Sequence, residues 1–99
     1  MKFIELEADA FKAELNQNKN AYLLDVREEY EFEDDNVGGV NIPMGEVLSH
    51  VEELKGKVNI YLICKSGKRS RAVAYHLSKE LEKCNIYSCI GGIDAYTAV

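Results

Sequence analysis

Two kinds of hydrophobic pattern alternate along the chain. Short apolar runs are separated by stretches whose apolar residues recur every three or four positions. The runs at residues 3–6, 21–26, 58–63 and 86–90 predict strands, the first of them short and weak. Residues 58–63 carry the strongest strand signal, being β-branched and aromatic with no charge. The apolar run at 21–26 reads as a strand buried on both faces. Helical spacing lies between the runs. Phe11 and Leu15 mark a helix over 9–18, and residues 28–35 form a short acidic helix carrying Tyr30 and Phe32. Residues 44–54 place Val47, Leu48, Val51 and Leu54 on one helical face. Val73, Leu77 and Leu81 recur every fourth residue in the longest helix, 69–83. Residues 36–43 turn into a short strand stopped by Pro43, and Gly91-Gly92 turn into a short tail helix.

Strands separated by helices pair in parallel through right-handed crossovers. The expected fold is therefore α/β, a three-layer helix–sheet–helix domain with a mainly parallel five-stranded sheet. The 99 residues, 46% hydrophobic and 29% charged, make one soluble domain over 1–99 and exclude a disordered chain. No apolar run approaches the roughly 20 residues of a membrane span. Acidic residues near the start stand where the apolar part of a secretory leader would lie, so a cytoplasmic location is expected. A net charge of −5 disfavours nucleic acid and anionic membranes as partners.

Charge is unevenly spread. Residues 25–35 hold seven acids and one Arg, whereas residues 64–71 hold Lys65, Lys68, Arg69 and Arg71 and no acid. Cations at the start of a helix oppose its macrodipole, and an anion bound there would account for them. Cys64 ends the strongest strand, and Gly67 gives the following loop room to curl. Backbone N–H groups of such a loop converge on its concave side as an anion nest, and the next helix adds free N–H donors. That setting favours an anionic sulfur, so Cys64 reads as a functional thiol. The remaining cysteines, Cys84 and Cys89, complete an odd number with no metal-ligand spacing, and read as reduced core or surface thiols. His50 and His76 lie on helices away from the cysteine, which leaves a Cys–His pair unsupported.

Four segments carry a resemblance in order. They are Leu23-Leu24-Asp25-Val26-Arg27-Glu28-Glu29-Tyr30-Glu31, Val37-Gly38-Gly39-Val40-Asn41-Ile42-Pro43, Cys64-Lys65-Ser66-Gly67-Lys68-Arg69-Ser70, and Gly91-Gly92-Ile93 with Tyr96. Together they resemble the single-domain rhodaneses, a sulfurtransferase family, over nearly the whole chain. The resemblance implies a rhodanese-like fold and a double-displacement mechanism. Cys64 would take a sulfane sulfur from a small anionic donor such as thiosulfate, and pass it from a persulfide to cyanide or a cellular thiol. Lys65, Ser66, Gly67, Lys68, Arg69 and Ser70 would bind the substrate, with amides on the sulfur and cations on the sulfonate. Asp25 would support the loop, and Arg27 would pair with Glu28 or Glu31. Neither a metal nor an organic cofactor is implied. Asn36, Gly38 and Tyr96 depart from the family's His, Pro and Trp, which bears on substrate preference rather than fold.

Two rival readings stand beside this one. A phosphatase or arsenate reductase of the same fold needs a loop one residue longer, Cys-x5-Arg, whereas Arg69 gives Cys-x4-Arg. A persulfide relay or docking module would serve a protein partner instead of thiosulfate. Arg71 is expected to face solvent. The acidic segment 28–35 reads as a solvated helix face, with docking of a basic partner as the alternative.

Overall fold

The computed structural model describes residues 3–99; Met1 and Lys2, part of the start read against a leader, lie outside the described residues. In chain order the elements are β1 (Phe3–Leu6), α1 (Ala8–Gln17), β2 (Ala21–Asp25), α2 (Glu29–Asp34) and β3 (Val40–Asn41). A 3₁₀ helix (Met44–His50) then runs into α3 (Val51–Leu54), followed by β4 (Asn59–Ile63), α4 (Lys68–Glu80), β5 (Asn85–Cys89) and α5 (Gly92–Tyr96).

Among the described residues all five strands are parallel, in the order β1-β5-β4-β2-β3. β4 lies at the centre, and each of its residues is buried, as its uncharged run demands. Side chains alternate across it. Ile60, Leu62 and Cys64 face a core closed by Val47, Leu54, Val73, Leu77 and Leu81. Tyr61 and Ile63 face a second core with Phe11 of α1 and the side chains of α5. That second layer is aromatic. Tyr61 stacks on Tyr87 at 4.6 Å and meets Phe11 edge-on at 5.5 Å, while Phe11 meets Tyr96 edge-on at 6.2 Å. Tyr96 thereby fixes α5 against α1, and the start of α5 is free to shape the loop after β4.

Two helices differ from expectation. Residues 44–50 turn as a 3₁₀ helix rather than an α-helix. With three residues per turn the apolar face rotates, so Val47 packs while Leu48 is 54% exposed. The long helix ends at Glu80, three residues before Lys83. Leu81 leaves helical dihedrals yet stays buried, and the chain turns there to enter β5. No helix among the described residues is long and apolar enough to cross a membrane.

Candidate active site

The ends of β2 and β4 lie side by side, with Asp25 opposite Ile63 and the Val26 N–H donating to the Ile63 carbonyl at 3.0 Å. Cys64 follows at once and is fully buried. Three residues later Gly67 caps α4 with φ 98°, a left-handed conformation suited to glycine. A side chain there would press on the Gly91 amide at 3.0 Å and the Cys89 carbonyl at 3.1 Å. The curl this permits turns two backbone donors onto the sulfur: the Gly67 N–H at 3.1 Å and the Ser70 N–H at 3.3 Å from Cys64 Sγ. The Ser70 hydroxyl is 3.7 Å from the same sulfur.

The carbonyls on the other side of the loop are held by α5. The Ile93 N–H donates to the Cys64 carbonyl at 2.8 Å, and the Asp94 N–H to the Lys65 carbonyl at 3.2 Å. Gly92 makes this approach possible, because a side chain there would collide with both carbonyls. Free N–H groups at the start of α5 thus anchor the loop with its carbonyls away from the sulfur.

The basic residues are mostly paired. Arg69 makes a two-pronged contact with Glu31, Nη1 to Oε1 at 2.7 Å and Nη2 to Oε2 at 3.0 Å. The Arg69 guanidinium holds the Glu31 carboxyl down to about 2, and Glu31 in turn raises Arg69. Glu31 also accepts the Glu28 N–H at 2.9 Å, so the capping box of α2 aims its carboxylate. Lys65 meets Asp94 at 3.0 Å in an exposed pair. Among the described residues Lys68 has no carboxylate within salt-bridge distance. Ser66 is exposed at the loop tip. Arg71 is exposed as expected, 3.7 Å from Glu5.

Asp25 and Arg27 depart from expectation. Arg27 pairs with Asp25 itself, Nη2 to Oδ2 at 2.8 Å and Nε to Oδ1 at 3.0 Å, rather than with the side chain of Glu28 or Glu31. Both are buried, and the Asp25 hydrogen bond raises Arg27. Asp25 makes its side-chain hydrogen bonds to Arg27, and none to the Cys64 loop among the described residues. Two positions apart at a strand end, the two residues point the same way, and the guanidinium fork reaches the carboxylate directly. Arg27 then donates to the Asp35 carbonyl at 2.7 Å and the Glu31 carbonyl at 3.4 Å, fastening the C-terminal end of α2.

Beside the loop is a cavity of about 480 Å³, lined from α2 by Tyr30, Glu31, Asp34 and Asp35 and opposite by Lys65 and Asp94. His50 pairs with Glu53 at 2.8 Å, and among the described residues neither histidine bonds to Cys64. Cys84 and Cys89 are buried and unpaired with one another. Burial pushes both thiols up, Cys89 to about 11. Glu31, Asp94 and Ser88, all distant in sequence from Cys64, belong to the loop's surroundings. Of the three, Glu31 alone carries a local sequence signal, its position three residues after Glu28, the spacing of a capping box.

A family profile described as Rhodanese-like domain matches residues 7–99. The chain is 39% identical over 77 residues to "Putative sulfur carrier protein YrkF" of Bacillus subtilis (strain 168), covering 77% of this chain and 42% of that protein. It is 31% identical over 81 residues to "Putative sulfurtransferase YtwF" of the same organism, covering 81% of this chain and 79% of that one. Among solved structures it is similar to a rhodanese-related protein from Thermoplasma volcanium, with a TM-score of 0.79 and 28% identity. That likeness covers 97% of this chain and 92% of the other.

Proposed function

The chain belongs to the rhodanese-like domain family, and from that premise we propose that it is a sulfurtransferase working through a persulfide on Cys64. The observation that carries this reading is the convergence of the Gly67 and Ser70 amides on a cysteine sulfur at the start of a helix. Donors fixed before reaction stabilise negative charge on sulfur without reorganising. The Cys64 sulfur attacks the outer sulfur of thiosulfate. A new S–S bond forms, the donor's S–S bond breaks, and sulfite leaves with the electron pair. Cyanide or a thiolate then attacks the outer sulfur of the persulfide, and the thiolate of Cys64 is released. The loop's four-residue gap between Cys64 and Arg69 suits a cradle for one sulfur better than for a tetrahedral oxyanion. Three cysteines without a disulfide between them suit a reducing compartment such as the cytoplasm.

One observation favours a second reading, a persulfide relay to or from a partner protein. Arg69 and Lys65 are neutralised by Glu31 and Asp94, so of the three loop cations Lys68 alone remains to draw a free sulfonate. Asp34 and Asp35 add negative charge to the neighbouring cavity. A donor that brings its sulfur on a protein needs no sulfonate site.

Intact mass spectrometry tests both. After thiosulfate the protein gains one sulfur atom, which cyanide removes as thiocyanate, and Cys64→Ser gains none. Gain from a cysteine desulfurase but not from thiosulfate selects the relay. Sulfur transfer by Cys64→Ser overturns both readings.

A further inference from the structure

Ser88 stands in β5 behind the Cys64 loop, fully buried, and its hydroxyl lies 2.8 Å from that of Ser70. Among the described residues this is the side-chain hydrogen bond Ser88 makes. Ser70 is more crowded. Its oxygen has the Cys64 sulfur at 3.7 Å, the Gly67 carbonyl at 3.2 Å and Ser88 as neighbours. A serine has one proton to give and two lone pairs to receive. The Gly67 carbonyl already accepts the Arg71 N–H at 3.1 Å, so it does not depend on the Ser70 proton.

Two arrangements give the Ser88 proton an acceptor, one for each state of Cys64. With Cys64 as a thiol, its S–H and the Ser88 O–H both donate to Ser70, and Ser70 donates to Gly67. With Cys64 anionic, Ser70 turns its proton onto the sulfur while Ser88 still donates to Ser70. Without Ser88, the Ser70 oxygen loses its donor in the anionic state and becomes a poorer donor itself, since hydrogen bonds in a chain polarise one another.

We infer that Ser88 is a positioning residue for the nucleophile, holding Ser70 as an acceptor from behind so that its proton can serve the anionic Cys64 sulfur. The inference rests on the reading of Cys64 as a nucleophile. Charged and titratable groups surround the site on several sides. Arg69 on α4 is held by Glu31 of α2, Cys89 lies on β5, Lys65 pairs with Asp94 of α5, and Asp25 pairs with Arg27 at the end of β2. Glu31, held to about 2, and Cys89, pushed to about 11, do not change charge near neutral pH.

The test is the rate of Cys64 alkylation by iodoacetamide, followed by peptide-level mass spectrometry over about pH 5–9. It needs no sulfur donor, so a failure of sulfur transfer leaves its outcome unaffected. Ser88→Ala is expected to slow alkylation about three- to tenfold below the midpoint, an upward shift of about 0.5–1 pH unit. Ser70→Ala shifts the profile the same way. Ser88→Ala then adds nothing in the Ser70→Ala background, because Ser88 acts through Ser70. Ser88→Thr keeps the hydroxyl and the wild-type midpoint, and serves if Ser88→Ala does not fold. A Ser88→Ala profile that matches wild type overturns the inference. So does a full shift in the Ser70→Ala background, or an Ser88→Thr midpoint displaced upward from wild type.

Discussion

Glu31→Gln isolates the contact that ties the Cys64 loop to α2. The substitution keeps the shape of the side chain and an oxygen for the Glu28 amide, but removes the charge facing Arg69. The carboxyl falls from 4.5 to about 2 on folding, chiefly through its hydrogen bond to Arg69. Taken whole, that difference corresponds to about 3 kcal/mol at 1.36 kcal/mol per tenfold change. Solvent reaches the pair, with 33% of the Arg69 side chain and 18% of the Glu31 side chain exposed, and screening reduces the expected contribution to about 1–2 kcal/mol. Because the folded value lies below the unfolded one, the contribution is complete above 4.5 and is lost as pH falls through about 2. Urea unfolding of wild type and Glu31→Gln at a series of pH values measures it. Wild type should exceed the variant by about 1–2 kcal/mol at neutral pH, with the gap closing between about pH 4.5 and 2. Other carboxylates titrate in both proteins and largely cancel in the difference. A gap independent of pH across that window would refute the reasoning.

Three further outcomes follow from the same geometry. Gly92→Ala forces a methyl group against the Cys64 and Lys65 carbonyls at φ 60°, so sulfur transfer should fall at least about tenfold, by steady-state assay, with about 1–3 kcal/mol lost in denaturant unfolding. Lys68→Ala should raise the thiosulfate KM more than Lys65→Ala does, because Lys65 is already paired with Asp94; equal rises would remove that distinction. Cys84→Ala with Cys89→Ala should cost stability in a thermal melt but leave turnover within about twofold, since both thiols are held protonated by burial; an inactive double variant would give them a part in the chemistry.

Signals that are local in the chain translate directly into the fold. The uncharged run before Cys64 becomes the central strand because only a position covered on both faces buries every residue. The segment at 44–50 does not follow its spacing, because 3₁₀ and α-helical turns share the same apolar residues until the backbone chooses between them. The same division runs through the site. Cys64, Gly67 and Ser70 are legible together because strand, bend and helix start are neighbours in sequence. The partners of the loop are not. Glu31 is 38 residues from Arg69, Asp94 is 29 from Lys65, and Ser88 is 18 from Ser70.

Which acid meets which base depends on the strand order and on the angle at which α2 leaves β2. Glu28 and Glu31 are equivalent as charges near Arg27, yet neither side chain pairs with it. Asp25 reaches the guanidinium first from the strand end, and the capping box turns Glu31 toward α4 instead. That swap changes the functional argument. A basic loop read from sequence is a site for a free anion. The folded loop has spent two of its three cations on carboxylates, and its sulfur is served mainly by uncharged backbone donors. Amides stabilise an anionic sulfur whatever molecule delivered it, whereas a lysine or arginine selects the charge of the donor. On the proposed reading, pairing Arg69 and Lys65 internally separates the chemistry at Cys64 from recognition of the donor, and leaves Lys68 and the α2 side of the cavity to decide what docks.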